Sequence, residues 1–419
     1  SAKSAVAASV SASAALVAAL SASMAAGRTC LAMLGAAMTT PATAAPPSKH
    51  LLLTSGTTTP PTTCGQRCIT APSGASLLPT CVRSPASTNS SAALAASSAK
   101  ASATSPLRTA RAVAHARATL MAGFTTVRDL GTEGAGEADA GLKQAIQQGI
   151  VPGPRLFIAG RALVATGAYG PKGYAYDVPQ GAEEASGEGI VAAVRRQIAH
   201  GADWVKFYAD YRWGPGEPSR ATFSIDELAA GIAAAHDAGR KVAVHASTPE
   251  GMRRAILAGA DTIEHGNDAT PAVFALMKAR NVAFCPTLAA TDAIARYGGW
   301  SGGAPEPEPV RAKRASYAAA LESGVRMCVG GDTGVFAHGA NAREIALMAA
   351  WGMKPLDALW TATAGNAALL GLGDEIGAIA PGRIADLVAV TGDPARDIGA
   401  LERVAMVMQR GHLVRAPGE

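Results

Sequence analysis

Apolar, β-branched strands alternate with amphipathic helices between residues 107 and 335, and this repetition limits the folds open to the chain more than any other feature. The helical stretch IDELAAGIAAAHDAG, for example, leads through a glycine into the strand-like KVAVHA. Short links of this kind join parallel strands by way of crossover helices. At least six such units can be counted, and the first strand lacks the glycine-rich fingerprint of a dinucleotide-binding sheet. We therefore predict an α/β fold, specifically a (β/α)8 TIM barrel.

Capping residues mark two helix starts in this region. Ser224 and Glu227 have the spacing of a capping box, and Thr248 followed by Pro249 is typical of a first helical turn. Beyond residue 345 the pattern changes, because the helical stretch PLDALWTATAGNAALLGLG is followed by strand-like segments with no helix between them. We expect this tail to form part of a small separate β-layer.

The composition of the chain breaks near residue 105. Residues 1–105 contain no Asp, Glu, Phe, Tyr or Trp, although the whole chain carries 32 acidic residues and a formal net charge of +5. Such a segment lacks the bulky groups that fill a core. Within it, residues 24–45 read as a signal peptide with an Ala42-Thr43-Ala44 cleavage site, which predicts a periplasmic or secreted protein; without that signal the expected compartment is the cytoplasm.

Several partner classes find no support in the sequence. No apolar run reaches the roughly 18 to 20 residues of a membrane span, and no Lys/Arg cluster interleaved with aromatic residues points to a nucleic acid. Cys285 and Cys328 lie in apolar runs and are predicted to be buried thiols rather than metal ligands. The exposed edges of the β-layer and an apolar barrel exterior favour a homo-oligomer.

Four polar residues follow apolar strands of successive units: Lys206, His245, His265 and Asp332, separated by 39, 20 and 67 residues. In a barrel the carboxyl ends of the strands converge on one face, so these side chains would point into one bowl. Two imidazoles and a carboxylate form a set that binds zinc or a similar divalent ion. Such an ion lowers the pKa of bound water toward ~7 and polarises a carbonyl, which is what amide hydrolysis requires.

Lys206 is the unexpected member of this set. Its apolar flanks disfavour a charged ammonium, and a cation beside a metal is repelled. A neutral amine could form a Schiff base, as in barrel aldolases, or be carbamylated by carbon dioxide to give an anionic metal ligand. A third interpretation places the lysine head at the rim of the barrel. The neighbouring histidines and aspartate favour the carbamate.

Residues from about 107 to 412 resemble a metal-dependent amidohydrolase of the imidazolonepropionase-like branch, which also contains Xaa-Pro and aminoacyl dipeptidases and ochratoxin-type amidases. The matching segments are GFTTVRDLGTEGAG, GPRLFIAGRAL, GADWVKFYADYRWGPG, VAVHASTPEGMRRAILAGADTIEHG, GGDTGVFAHGANAREI, TATAGNAALLGL and IGAIAPGRIADLVAVTGDP.

The resemblance implies a distorted (β/α)8 barrel with a small β-sandwich built from the two chain ends. It would assign residues 106–345 to the barrel, 346–375 to its last helices and 376–419 to the C-terminal part of the sandwich. Residues 1–105 would then include the rest of the sandwich and the first barrel strand.

The resemblance also implies a two-metal centre, with Zn²⁺ as the expected ion. Lys206 would be a carbamate that bridges two divalent ions, and His245 and His265 would bind the second ion. Asp332 would bind the first ion and act as the catalytic residue that exchanges a proton with a bridging hydroxide.

One family feature is absent from the sequence. A His-x-His pair is expected at the end of the first barrel strand, near residues 81–85. His50 is the only histidine before residue 107, and it lies about 30 residues before the expected position of the pair. Two explanations are open. Either the protein has lost the first metal site and is mononuclear or inactive, or residues 1 to about 105 are a GC-rich gene segment read in a shifted frame. The abrupt resumption of the match at Leu107 favours the second.

These observations predict a hydrolase that cleaves amide bonds with a metal-bound hydroxide, either a dipeptidase or carboxypeptidase-like enzyme or an N-acyl amino acid amidase. Its partner would be a small molecule or dipeptide. A lactonase or phosphotriesterase, a Schiff-base lyase that uses Lys206, and a non-catalytic metal-binding barrel are the alternatives. Candidate substrate-binding residues, which could hydrogen-bond a carbonyl or pair with a carboxylate, are Tyr169, Lys172, Tyr208, Arg212 and His338.

Overall fold

A computed structural model describes residues 105–169, 181–214 and 216–418 of the chain. The predictions made for residues 1–104, including the signal peptide at 24–45 and the first barrel strand near 81–85, lie outside these described residues. The candidate substrate residue Lys172 also lies outside them.

Helices and strands alternate along most of the described chain. The helices are α1 (Ser105–Met121), α2 (Ala138–Gln147), α3 (Gly189–Ala199), α4 (Ile225–Asp237), α5 (Pro249–Ala258), α6 (Pro271–Ala279), α7 (Leu288–Tyr297), α8 (Glu308–Ser323), α9 (Ala342–Ala350), α10 (Pro355–Trp360) and α11 (Asn366–Leu370). The strands are β1 (Thr126–Asp129), β2 (Arg155–Ile158), β3 (Ala162–Val164), β4 (Ala182–Glu184), β5 (Trp204–Tyr208), β6 (Asp210–Tyr211), β7 (Arg220–Ala221), β8 (Lys241–Ala246), β9 (Thr262–His265), β10 (Ala283–Cys285), β11 (Leu387–Val390), β12 (Val404–Gln409) and β13 (His412–Arg415).

A parallel sheet forms the centre of the structure. Six strands pair in the order β10-β9-β8-β5-β3-β4, and every neighbouring pair is parallel. Strands β1 and β2 form a second parallel pair, and the backbone N–H of Asp203 donates to the carbonyl of Ile158 at 2.8 Å, which brings the end of β2 beside the start of β5. The α/β class and its parallel connections are confirmed, whereas closure into a complete eight-stranded barrel stays a prediction.

The parallel strands curl around a common interior. Arg128 of β1 and Glu264 of β9 form a buried ion pair at 2.8 Å, although β2, β5 and β8 lie between their strands. Only a curved arrangement of strands lets side chains of β1 and β9 meet in this way. The geometry is therefore TIM-barrel-like.

The core lies between this sheet and its covering helices. Phe207, Val244 and Ile263 of the strands are fully buried, as are Leu228 and Phe274 of helices α4 and α6. Strands buried on both faces read as continuous apolar runs, which is why the sequence of β5 and β8 predicts them clearly. Each buried side chain of this size contributes about 1.5–3 kcal/mol to stability.

Both predicted helix caps are confirmed. The Ser224 hydroxyl accepts from the Glu227 N–H at 3.1 Å, and the Ser224 N–H donates to the Glu227 carboxylate at 2.9 Å. The Thr248 hydroxyl accepts from the Gly251 N–H at 3.0 Å, and Pro249 occupies the first turn of α5. These caps hold the helix starts close to the strand ends and keep the intervening links short.

The C-terminal tail forms a three-stranded antiparallel sheet in the order β11-β12-β13, which confirms the expected β-layer in part. Its apolar face packs on Leu120 of α1 through Val388, Val390 and Val407. The sandwich partner predicted from the N-terminal end lies outside the described residues. Before this sheet, the stretch predicted as helical is interrupted by a π-helical turn at Thr361–Gly365.

The two cysteines of the barrel strands are buried, as predicted, but they are not free thiols. Cys285 of β10 and Cys328 are joined by a disulfide. Phe284 and Met327 are paired across neighbouring parallel strands, which brings the adjacent cysteine Cα atoms to 4.8 Å, within the usual range for a disulfide. The expectation of unlinked thiols was therefore wrong.

Among the described helices, none is both long and apolar enough to cross a membrane.

Gly123 generates a stability prediction. It has φ +93°, and a Cβ placed there would lie 2.8 Å from Cγ1 of Val388, whereas Gly149 has φ +71° and no atom within 4 Å of such a Cβ. Both alanine substitutions incur the left-handed backbone cost of about 1–2 kcal/mol. Gly123→Ala adds overpacking of about 1–3 kcal/mol. Urea unfolding should show the larger loss for Gly123→Ala; equal losses would mean that Val388 moves aside freely.

Candidate active site

The structure places the four predicted ligands around one cavity at the carboxyl ends of the strands. Lys206 lies in β5, His245 in β8 and His265 at the end of β9, and Asp332 follows the strand segment at Met327. The sheet register sets Tyr208 opposite His245 and Ala246 opposite His265. Neighbouring parallel strands in this register bring their terminal side chains to the same edge.

The two histidines form the centre of the site. Their rings lie 4.5 Å apart between centroids and meet edge to face. Nδ1 of His265 is 2.8 Å from the hydroxyl of Thr287, and Nε2 of His245 is 3.6 Å from Oδ1 of Asp210. The Thr287 contact leaves Nε2 of His265 as the nitrogen suited to hold a ligand. Asp210 lies on the Nε2 side of His245, which leaves Nδ1 as the corresponding nitrogen of that ring.

Asp210 owes its position to the start of helix α5. Its carboxylate accepts from the backbone N–H groups of Ser247 and Thr248, and from the Thr248 hydroxyl at 2.7 Å. A carboxylate held by several donors at a helix N-terminus is a rigid support. Asp210 therefore fixes the His245 side of the site without reaching into the cavity itself, since its side chain is fully buried.

Burial keeps both imidazoles neutral. It lowers the pKa of His245 to about 3, and the nearby Lys206 charge acts in the same direction. Burial also lowers the pKa of His265 well below its usual value, with further contributions from His245 and Lys206. A neutral imidazole is the form that binds a metal ion.

Lys206 is buried, with only 4% of its surface exposed. This burial lowers the pKa of its ammonium, while the charges of Glu264 and Asp332 act against the shift. A lowered pKa favours the free amine, which both the Schiff base and the carbamate require. The predicted rim position is not what the structure shows, because the surrounding strands enclose the side chain.

The backbone at His265 is held in an unusual conformation. His265 has φ +74° and Gly266 has φ +57°. Helix α8 supports this turn, since Lys313 donates to the His265 carbonyl at 2.5 Å and Ser316 donates to the Gly266 carbonyl at 2.7 Å. Strained residues of this kind persist where surrounding contacts hold them, and they concentrate at functional sites.

The described residues satisfy the donor chemistry of a divalent ion only in part. Two adjacent neutral imidazoles beside a buried lysine suit such an ion. However, within the described ranges no three His, Cys, Asp or Glu side chains are grouped closely enough to hold a metal. The assignment of Lys206, His245, His265 and Asp332 as one ligand set therefore stays a prediction.

The candidate substrate residues that are described all line the same cavity. The Tyr169 hydroxyl donates to Oε2 of Glu133 at 2.9 Å, and the Tyr208 hydroxyl donates to Oε1 of the same carboxylate at 3.1 Å. The Arg212 guanidinium lies 5.5 Å from the Tyr211 ring centroid. His338 stacks on another ring, that of His115, at 4.2 Å, so it lies on the α1 side of the cavity.

Sequence reasoning missed several residues that shape the site, above all Glu133 and Thr287. Glu133 lies in the glycine-rich loop after β1, a strand-end position that could have drawn attention to it. Thr287 and Lys313 act through contacts with residues 22 and 48 positions away, which no local pattern reveals.

Comparison with known proteins places this geometry in a family context. A model described as the amidohydrolase family matches residues 103–414. An uncharacterised protein of Mycobacterium tuberculosis is 31% identical over 269 residues, which span 62% of this chain and 68% of that protein. Ochratoxinase of Aspergillus niger is 29% identical over 330 residues, which span 71% of this chain and 67% of that enzyme.

Solved structures of similar fold and sequence also include enzymes that cleave amide bonds. A Xaa-Pro dipeptidase with methionine bound in its active site is 36% identical, with a TM-score of 0.64 over 72% of this chain and 78% of that one. A prolidase complexed with N-methylphosphonate-L-proline is 33% identical, with a TM-score of 0.66 over 75% of this chain and 81% of that one.

The low pKa of His245 generates a prediction for the metal-free protein. Unfolded His245 takes up a proton near 6.5 and the folded residue near 3, so its contribution to stability is present above pH 6.5 and lost as the pH falls toward 3. We expect His245→Asn to make unfolding less sensitive to acid. Between pH 6.5 and 4.5 the variant should lose about 1–3 kcal/mol less than the parent.

Urea unfolding at the two pH values measures this difference. His236→Asn is the control, because His236 lies at the exposed end of α4. If both variants kept the acid sensitivity of the parent, burial of His245 would not be its cause.

Proposed function

This chain belongs to the amidohydrolase family and is a hydrolytic enzyme that acts on carbon–nitrogen bonds, and from this premise we propose that it cleaves the amide of a dipeptide or an N-acyl amino acid. The observation that carries the proposal is the pair of neutral imidazoles, His245 and His265, beside the buried Lys206 at the strand ends of one cavity.

The relatives support an amino acid as the leaving group. One solved relative is a Xaa-Pro dipeptidase with bound methionine, and another is a prolidase that holds a phosphonate derivative of proline. In each complex, the bound molecule is an amino acid or is built on one. Both bound molecules therefore suit a substrate in which an acyl group is joined to the nitrogen of an amino acid. Cleavage of that amide is the type of reaction expected of the family.

Two divalent ions, Zn²⁺ above all, are the proposed cofactors. His245 and His265 would hold one ion. Lys206, as a carbamate formed with carbon dioxide, and Asp332 would be the remaining metal ligands. A bound divalent ion supplies Lewis-acid polarisation of the scissile carbonyl and acidifies water. The neutral imidazoles and the lowered lysine pKa are the properties of the chain that suit this role.

Asp332 is the proposed proton carrier. It lies at φ +60° on the cavity wall, and its charge is close enough to oppose the pKa shift of Lys206. In the proposed reaction its carboxylate accepts a proton from the attacking water and delivers one to the amide nitrogen as the C–N bond breaks. The products are a carboxylic acid and an amino acid with a free amine.

The metal count separates the two explanations for the missing His-x-His pair. Two ions per chain require ligands that residues 1–105 of this sequence do not contain. Elemental analysis that found two ions, together with mass mapping of acidic and aromatic peptides from this region, would support the shifted reading frame. One ion per chain and peptides that match the sequence would support the loss of the first site.

We expect metal chelation to abolish dipeptide hydrolysis and Zn²⁺ to restore it. Asp332→Asn should lower kcat by about 10²- to 10⁴-fold, the usual effect of losing a general acid–base group. The control is Asp374→Asn, since Asp374 is exposed and lies outside the cavity. Full activity after chelation, or a fully active Asp332→Asn enzyme, would contradict the proposal.

Thr287 generates a separate prediction about metal affinity. Thr287→Val keeps the shape of the side chain but removes the hydroxyl that contacts Nδ1 of His265. Loss of such a supporting contact weakens metal binding by about 10- to 100-fold. Thr287→Ser retains the hydroxyl and should keep the affinity close to that of the parent. Competition with a chromophoric Zn²⁺ chelator measures both, and equal affinities would mean that Thr287 does not orient the ligand.

A further inference from the structure

One wall of the cavity combines three aromatic rings with a carboxylate. Tyr169 lies 5.2 Å from Tyr208 and 5.0 Å from Tyr211 between ring centroids, and Tyr208 and Tyr211 lie 6.4 Å apart. Glu133 accepts hydrogen bonds from the hydroxyls of Tyr169 and Tyr208. We call these four residues the tyrosine–glutamate wall.

The loop that carries Glu133 is fixed by its own contacts. Glu133 has φ +47°, and the guanidinium of Arg108 donates to its carbonyl at 2.5 Å and to the Thr132 carbonyl at 2.9 Å. Thr132 in turn donates through its N–H to the Gly160 carbonyl at 3.2 Å and through its hydroxyl to the Gly136 carbonyl at 2.7 Å. The carboxylate is therefore presented to the cavity from an anchored backbone.

The phenol hydroxyls of Tyr169 and Tyr208 act as donors to the Glu133 carboxylate. Burial raises the pKa of Tyr169, and the Glu133 charge adds to the shift, so this phenol stays protonated. Each carboxylate oxygen accepts from one phenol, and an ionised carboxylate offers about four acceptor positions. Within the described part of the chain, the carboxylate of Glu133 therefore keeps acceptor positions for a group that brings its own N–H donors.

Glu133 is exposed, and its carboxylate lies beside aromatic rings, a combination suited to an organic cation. Ring faces attract ammonium groups, and the carboxylate adds charge pairing. The wall already attracts a cation of the protein, because Arg212 lies 5.5 Å from the Tyr211 ring centroid. A neutral or anionic group would gain neither interaction.

The wall is within reach of the reacting centre. The ring of Tyr208 lies 4.6 Å from the ring of His245, while its hydroxyl contacts Glu133. One side chain therefore links the imidazole pair to the carboxylate. In a dipeptide a single carbon joins the α-amino nitrogen to the scissile carbonyl, so an amino group held at Glu133 would keep that carbonyl beside Tyr208.

We infer that the tyrosine–glutamate wall is a subsite for a primary ammonium group, the free α-amino group on the acyl side of the substrate. The inference rests on the proposed function and narrows it. Of the two substrate classes, N-acyl amino acids lack this cation, and dipeptides with a free amino terminus carry it. Glu133 is then a specificity-determining residue.

A matched pair of substrates tests this subsite. L-alanyl-L-methionine and N-propionyl-L-methionine differ only in the α-ammonium group, which is largely protonated at pH 7. We expect the parent enzyme to have a kcat/KM about 10- to 100-fold higher for the dipeptide. This ratio corresponds to the contribution that one hydrogen bond to a charged group makes to binding. Glu133→Gln should reduce this preference by at least about tenfold.

The control variant is Glu137→Gln, the same chemical change four residues along the loop. Glu137 contacts His200 instead of the tyrosines, so the preference should be that of the parent. If Glu133→Gln lowered kcat/KM equally for both substrates, or if the parent enzyme did not distinguish them, the ammonium subsite would be wrong.

A binding measurement keeps this inference separate from the proposed function. If neither methionine substrate is cleaved, the proposed function fails, yet the subsite can still be tested with L-alaninamide and propionamide by ligand-observed NMR. Tighter binding of L-alaninamide to the parent, lost in Glu133→Gln and kept in Glu137→Gln, would support the subsite. Equal binding of the two amides by the parent would overturn it.

Discussion

The buried ion pair between Arg128 and Glu264 is the interaction on which the geometry of the site depends. It joins β1 to β9 beneath the cavity, and Glu264 also accepts from the Thr262 hydroxyl at 2.6 Å while Arg128 lies over the Trp204 ring at 4.4 Å. Removal of Arg128 would leave the buried Glu264 carboxylate without its partner, at a cost of about 3–5 kcal/mol. The Glu264 charge raises the pKa of Lys206 and the Arg128 charge lowers it. Burial, which is the largest contribution, therefore decides that this pKa is lowered.

Short sequence patterns predicted the features that depend on contacts between residues close together in the chain. The capping box at Ser224 and the cap at Thr248 are set by residues three positions apart, so the sequence alone was sufficient. The positions of His245 and His265 near the ends of their strands followed from the alternation of strands and helices, whereas Lys206 lies in the middle of β5. This alternation also predicted the parallel sheet, because crossover helices leave few other ways to pair the strands.

Other features depended on contacts between distant segments and could not be predicted. The disulfide joins residues 43 positions apart, and its formation depends on the register of two neighbouring strands. Tyr169 was considered as a donor to a substrate carbonyl, but its hydroxyl donates to Glu133, which lies 36 residues earlier in a different loop. The contact with Glu133 is therefore a finding of the structure, and the role of Tyr169 in substrate binding stays a prediction.

Backbone strain and charge divide the cavity into two sides. His265, Thr287 and Asp332 have φ values of +74°, +51° and +60°, and Glu133 in the tyrosine–glutamate wall has φ +47°. Burial raises the pKa of Asp129 to about 7, and the nearby carboxylates of Asp139 and Glu133 add to the shift, so acidic groups lie close together near the wall. Neutral imidazoles suit a metal ion and the scissile carbonyl, whereas the acidic wall suits a cation. A dipeptide bound across the cavity would therefore direct its amino terminus toward Glu133 and its scissile carbonyl toward the histidines, because each end finds there the group that its charge or polarity requires.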